Sequence, residues 1–159
     1  MQYILSILVS NHFGVLNRVT HLFSRRGYNV KELTVGETLN PDFSRITVIT
    51  EGDEEILDQI HKQISKLYDV KKSKILPNNN SISRELVLIK LKNSQKTLLE
   101  LNKYNCKILE NSDCIIAEMT GDLYEASEFL NKMKKFDIIE ISRTGITSLE
   151  NGMQNYLSI

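Results

Sequence analysis

The residues whose types and spacing suit small-molecule chemistry are Asn11, His12, Phe13, Gly14, Val15 and Leu16. They lie between an apolar run, Ile4 to Val9, and a stretch of helical periodicity that ends at Arg25-Arg26-Gly27. The carboxamide of Asn11 both donates and accepts hydrogen bonds, and His12 adds an imidazole. Gly14 lets a ligand or a second backbone approach the first helical turn without a side chain in the way. The unpaired N–H groups of that turn favour an anion such as a carboxylate. These features outline a site for a free amino acid. Asn-x-x-Gly between a strand and a helix also serves as a plain turn with a cap, so the loop alone does not decide.

The elements that must position this loop are readable. Tyr3 to Val9 reads as a buried central strand. The helix that follows carries Val15, Leu16, Val19, Leu22 and Phe23 on one face. It stops where Arg25 and Arg26 complement the dipole and Gly27 takes a left-handed cap. A second strand runs from about Tyr28 to Glu37, and Thr38 to Phe43 is a hairpin turn around Pro41 and Asp42. Arg45 to Thr50 is the third strand. Asp53 caps a second helix whose inward residues are Ile56, Leu57, Ile60, Ile64 and Leu67. Asp69 to Leu76 closes the set. The order strand, helix, strand, strand, helix, strand predicts an α+β, ferredoxin-like βαββαβ domain over residues 1–76.

The pattern then repeats. Pro77-Asn78-Asn79-Asn80-Ser81 has linker composition, and the linker is placed at 77–83. Leu86 to Leu91 matches the first strand, Thr120-Gly121-Asp122 matches Glu51-Gly52-Asp53, and Phe136-Asp137-Ile138 matches Tyr68-Asp69-Val70. Ala126, Phe129, Leu130 and Met133 form an inward helix face. A second, shorter ferredoxin-like domain is therefore expected over 84–159. Its equivalent loop, Lys92-Asn93-Ser94-Gln95-Lys96, has no glycine, so the ligand loop is assigned to the first copy only.

Composition narrows the function classes. With 159 residues, 20 basic and 20 acidic, the chain has formal net charge zero. That balance gives no electrostatic reason to expect nucleic acid or membrane as main partner. No apolar run approaches the roughly 20 residues that span a bilayer. The short first run lacks a basic leader, and a cytoplasmic protein is expected. The two cysteines, Cys106 and Cys114, are read as reduced thiols that can face each other across a hairpin; two thiols are too few ligands for a usual zinc site. His12, His21 and His61 are scattered. No phosphate loop, nucleophile elbow or carboxylate pair marks an enzyme. Arg18 lies inside the first helix, away from the cradle loop that acylphosphatase-like chemistry needs. The third strand lacks the aromatics an RNA-recognition sheet stacks on bases.

The N-terminal half closely resembles the small, regulatory subunit of acetohydroxyacid synthase (acetolactate synthase), which is built on the ACT domain. The residues carrying the resemblance are Ile4-Leu5-Ser6, Asn11, Gly14-Val15-Leu16, Arg18-Val19, Leu22 to Asn29, Leu33-Thr34-Val35, Ser44-Arg45, Gly52-Asp53-Glu54 and Leu67 to Val70. In the second half they are Arg84 to Lys90 and Arg143-Thr144-Gly145. The resemblance implies a homodimer that pairs its N-terminal domains side by side. It implies valine, or another branched-chain amino acid, bound at that junction. Asn11 and the backbone near Gly14 would come from one subunit, and Asn29 and Val35 from the other. It also implies a separate catalytic subunit carrying thiamine diphosphate, FAD and magnesium, with no cofactor or metal on this chain. Ser10 and Phe13 depart from the family loop, which commonly has an acidic residue before the asparagine and a proline before the glycine. Phe13 is accordingly expected to narrow the pocket. A free-standing amino-acid sensor and an activator without effector binding are the two alternatives.

Overall fold

A computed structural model of the chain describes residues 2–77, 79–110 and 112–153. Asn78 of the expected linker, Met1, and the stretch of the expected second domain beyond residue 153 lie outside the described residues.

The first module has strands β1 (Gln2–Ser10), β2 (Val30–Glu37), β3 (Phe43–Glu51) and β4 (Val70–Leu76), with helices α1 (Val15–Arg25) and α2 (Glu54–Ile64). The antiparallel sheet has the order β2-β3-β1-β4. The strand after each helix thus goes to an outer position, leaving β1 and β3 in the centre. Leu5, Ile7 and Val9 alternate along β1 and meet Ile46 and Val48 of β3 on one face. Val15, Val19 and Phe23 of α1 and Leu57, Ile60 and Ile64 of α2 close over them. Ile56 and Leu67, expected inward, pack at the margin of this core. Asp53 caps α2 by accepting from the Ile56 amide at 2.9 Å, with Glu54 and Glu55 adding favourable charge to the first turn.

The second module repeats the plan with β5 (Ser81–Lys92), α3 (Gln95–Leu101), β6 (Cys106–Glu110), β7 (Cys114–Gly121), α4 (Leu123–Met133) and β8 (Ile138–Glu150), in sheet order β6-β7-β5-β8. Ala126, Phe129 and Met133 are fully buried against Val87, Ile89 and Leu91. Asp122 and Glu125 form a reciprocal capping box at the start of α4. As expected, the first helix of this copy is short, 7 residues against 11 in α1. Strand β5 begins at Ser81, inside the stretch read as linker.

The repeat extends to the loop hydrogen bonds. The Ser10 amide donates to the Asp69 carbonyl at 2.9 Å, and the Lys92 amide donates to the Asp137 carbonyl at 3.0 Å. The Asn11 and Asn93 amides likewise donate to the Asp42 and Asp113 carbonyls, at 2.7 and 3.2 Å. By packing, the chain divides into one unit running to Ile82 and taking in the residues from Thr147, and a second unit, Ser83–Ile146.

The cysteines do not face each other. Cys106 pairs with Met119 at the open end of the β6–β7 hairpin, whereas Cys114 lies at its turn and pairs with Lys92 of β5. Neither cysteine is in a disulfide. Cys106 donates to the Leu101 carbonyl at 3.4 Å, and burial pushes its thiol pKa up.

Glu85 is the fully buried carboxylate of the second module, and Arg143 of β8 grips it with Nε at 2.5 Å and Nη2 at 2.7 Å. The bidentate fork answers both oxygens of an anion that cannot reach water. Removing the cation alone strands that charge, while removing both groups does not. Arg143→Met is therefore expected to lower stability by about 3 kcal/mol. The double variant Glu85→Met/Arg143→Met should lose clearly less. Urea unfolding of the three proteins measures the difference.

Candidate functional site

Gly14 is the N-cap of α1 and has φ +83°. The left-handed backbone turns the chain from β1 into the helix, and glycine adopts it without a Cβ penalty. A Cβ at Gly14 would meet nothing within 4 Å. The demand for glycine is thus conformational, and the space above it is open.

The start of α1 differs chemically from the other three helix starts. Asp53, Ser94 and Asp122 each cap their helix with a side-chain oxygen, whereas α1 has no side-chain cap and no acidic residue in its first turn. The Val15 amide closes the turn onto the His12 carbonyl at 3.3 Å. The Leu16 and Asn17 amides have no hydrogen-bond partner among the described residues. Two donors at the positive end of a helix are therefore open to an anion.

Asn11, in the loop that leads into α1, is tied to the β2–β3 hairpin. Its Nδ2 donates to Glu37 Oε1 at 3.0 Å and to the Pro41 carbonyl at 2.9 Å. Both amide hydrogens are thereby committed. What Asn11 offers a ligand is its oxygen, an acceptor suited to an ammonium group, instead of the donor-and-acceptor pair expected from the sequence.

The loop is pinned from beneath by a residue that sequence reasoning missed. Asp69, just before β4, is buried; its side chain is 7% exposed. It accepts from Arg18 Nε at 2.7 Å and from His12 Nε2 at 3.1 Å. Arg18 reaches it from the second turn of α1, and His12 from the loop. His12 is therefore an anchor, turned toward Asp69. The signal was present in Tyr68-Asp69-Val70, but its partners lie 51 and 57 positions earlier, beyond any local pattern.

The remaining residues separate. Val15 is in the core, 3% exposed, so its side chain is closed to a ligand. Leu16 and Val35 are each 42% exposed, and Phe13 projects fully into solvent. Val35 lies at the loop end of β2, two residues before the Glu37 that holds Asn11. Asn29 is at the other end of that strand, its carbonyl accepting from Thr50 Oγ1 at 2.8 Å. The 8 residues of β2 span about 25 Å at ordinary strand rise. One chain thus does not bring Asn29 to Asn11.

The equivalent helix start in the second copy is closed by its own side chain. Ser94 occupies the start of α3, its hydroxyl accepting from the Thr97 amide at 3.1 Å. Among the described residues no group of three or more His, Cys, Asp or Glu side chains is placed to hold a metal ion.

Two βαββαβ modules in tandem, the first with an open helix start, define a protein of the ACT-domain class. Residues 5–72 match the family model of the AHAS small subunit-like ACT domain, and residues 84–152 match that of the small subunit of acetolactate synthase. The chain is 39% identical over 158 residues to a probable acetolactate synthase small subunit of Archaeoglobus fulgidus, covering 96% of this chain and 98% of that one. It is 35% identical over 165 residues to the acetolactate synthase small subunit of Bacillus subtilis, covering 99% and 95%. A crystal structure of the acetolactate synthase small subunit from Thermotoga maritima superposes with a TM-score of 0.89 at 33% identity, covering 96% of this chain and 98% of that one. The chain belongs to the family of acetolactate synthase small subunits.

Since the space at Gly14 is open, substitution there tests backbone strain alone. Gly14→Ala is expected to lower stability by about 1–2 kcal/mol. Gly14→Asn should lose less, because asparagine tolerates the left-handed region. Thermal unfolding of both variants checks the order.

Proposed function

We propose that this chain is the regulatory subunit of acetolactate synthase: a cytoplasmic homodimer, without catalytic residues of its own, that raises the activity of a separate catalytic subunit and transmits feedback inhibition by valine. Thiamine diphosphate, FAD and magnesium belong, in this reading, to the catalytic chain. The observation that carries the effector assignment is the open start of α1, where the Leu16 and Asn17 amides have no partner among the described residues and the loop leading into the helix carries the Asn11 oxygen. A free amino acid has the complementary ends. Its carboxylate faces the helix start, its ammonium faces Asn11, and its branched side chain rests on the exposed apolar surface of Leu16 and Val35.

Dimerisation completes the site. Strand β2 is an edge strand, and an unpaired edge is a template for another chain. Two copies of β2 paired antiparallel about a two-fold axis put the start of one strand beside the end of the other. Asn29 of the second copy then approaches the loop end of the first, where Asn11, Leu16 and Val35 lie. Phe13 and Leu39, both fully exposed, supply apolar surface at that end of the module for the second copy to cover.

The mechanism is linkage. Valine stabilises a regulatory-subunit state that supports the catalytic subunit less well. A coupling of about 1–3 kcal/mol is enough to give 5- to 150-fold changes in affinity. The test is reconstitution. Mixing this chain with the catalytic subunit from the same source should raise the synthase rate, and valine should lower it again. Asn11→Ala should raise the valine concentration for half-inhibition by about tenfold, the loss of one hydrogen bond to a charged group. Unchanged valine sensitivity in that variant would remove Asn11 from the site.

A further inference from the structure

The first 31 residues contain no aspartate or glutamate, although the whole chain is neutral. Much of the uncompensated charge collects on one surface. Arg18, His21, Arg25 and Arg26 of α1 and its end line a groove of about 570 Å³, opposite Gln63 and over the apolar side chains of Leu22 and Leu67. Arg18 is held by Asp69. Arg25 and Arg26 have no ion-pair partner among the described residues.

We propose that this groove receives an acidic peptide segment of the catalytic subunit. The proposal rests on the reading above, that the chain acts by binding such a subunit. Charge complementarity sets the sign of the occupant, since the lining holds three arginines and no carboxylate. The spacing favours a peptide. Arg18 and Arg25 are seven residues apart on the helix, about 10 Å along its axis, with Leu22 between them. Acidic side chains separated by an apolar anchor match that row better than one compact anion. Arginine forks bind carboxylates in pairs, and the apolar floor excludes water around them.

The position matters for regulation. Arg18 lines the groove while its Nε holds Asp69, and Asp69 holds His12 in the effector loop. A peptide that draws on the Arg18 guanidinium shifts the balance of the contact that fixes the loop. Docking and effector binding thereby meet at one side chain.

The experiment titrates the catalytic subunit with the full-length chain and reads the concentration that gives half-maximal activation. Wild type, Arg25→Gln/Arg26→Gln and Arg25→Glu/Arg26→Glu are compared at about 50 and about 200 mM salt, where screening differs. Thermal unfolding confirms that the variants are folded. The expected result is weaker activation by wild type at the higher salt, an increase of about tenfold in the half-maximal concentration for the charge-reversed pair, and a smaller increase for the neutral pair. Half-maximal concentrations within about twofold of wild type overturn the proposal. Competition by inorganic phosphate at constant ionic strength also overturns it, because it marks a site for small anions. A wild-type chain that fails to activate at all sinks the functional reading, and the proposal with it. Activation that is intact in wild type and variants sinks the proposal alone.

Discussion

The buried carboxylate of Asp69 is the constraint on which the site depends. A desolvated anion is costly unless it is paired. Here the pairing comes from two segments distant in sequence, the β1–α1 loop through His12 and the body of α1 through Arg18. The backbone adds a third tie, because the Ser10 amide donates to the carbonyl of the same residue. Asp69 therefore fixes the end of β1, the loop and the helix against the start of β4. With the loop fixed, the Leu16 and Asn17 amides keep one direction and need no side-chain cap from their own chain. The second module shows the contrast. Asp137 keeps the backbone tie to Lys92, but its side chain is exposed, and Ser94 satisfies the helix start instead. The same fold can thus present either a closed cap or an open one. The difference lies in a few side chains around one turn.

Asn11 shows how positioning limits chemistry. Anchoring the loop to the hairpin uses both hydrogens of its carboxamide, on Glu37 and Pro41. The oxygen that remains is a pure acceptor. Together with the open amides at the helix start, which are pure donors, it gives the proposed site two ends of opposite preference, as a zwitterion has. In the proposed reading this polarity favours a free amino acid over a simple carboxylic acid, which would leave the Asn11 oxygen to water.

Much of the fold was legible because its determinants are local. Asp53 and Asp122 announce helix starts through side-chain capping, which acts within three residues, and both cap as read. Gly14 and Gly27 both take positive φ, as glycines between elements often do. The repeat was visible because Gly-Asp caps and the Tyr68-Asp69-Val70 type of strand entry recur in order. What stayed hidden depends on register and distance. The spacing of Cys106 and Cys114 allows them to face each other across a hairpin, but the hairpin turns between Glu110 and Cys114, so the second thiol sits at the turn. The asparagine-rich neighbours of Ser81 suggest a linker, yet pairing within the sheet carries the strand back to it. The contact of His12 with Asp69 spans 57 positions and has no local signature in the sequence.

A regulatory site needs freedom as well as fixation. An equilibrium can be shifted only by a ligand with different affinities for its two states. The Asp69 cluster is suited to such a role because its members are unequally committed. The carboxylate is buried, but His12 is 53% and Arg18 54% exposed. Solvent can take over the hydrogen bonds of either exposed partner at small cost, while the carboxylate must keep at least one of them. Exchange of partners at Asp69 is therefore a discrete event of modest free energy, in the range in which a bound metabolite can bias the outcome. A fully buried triad would be too rigid to respond, and a fully exposed one would not hold the loop. Among the described residues the contrast is Glu85 with Arg143, whose bidentate grip on a carboxylate that is 0% exposed leaves no exchange open. The first arrangement fits a loop that reports on a ligand, and the second fits a clasp that only holds a sheet together.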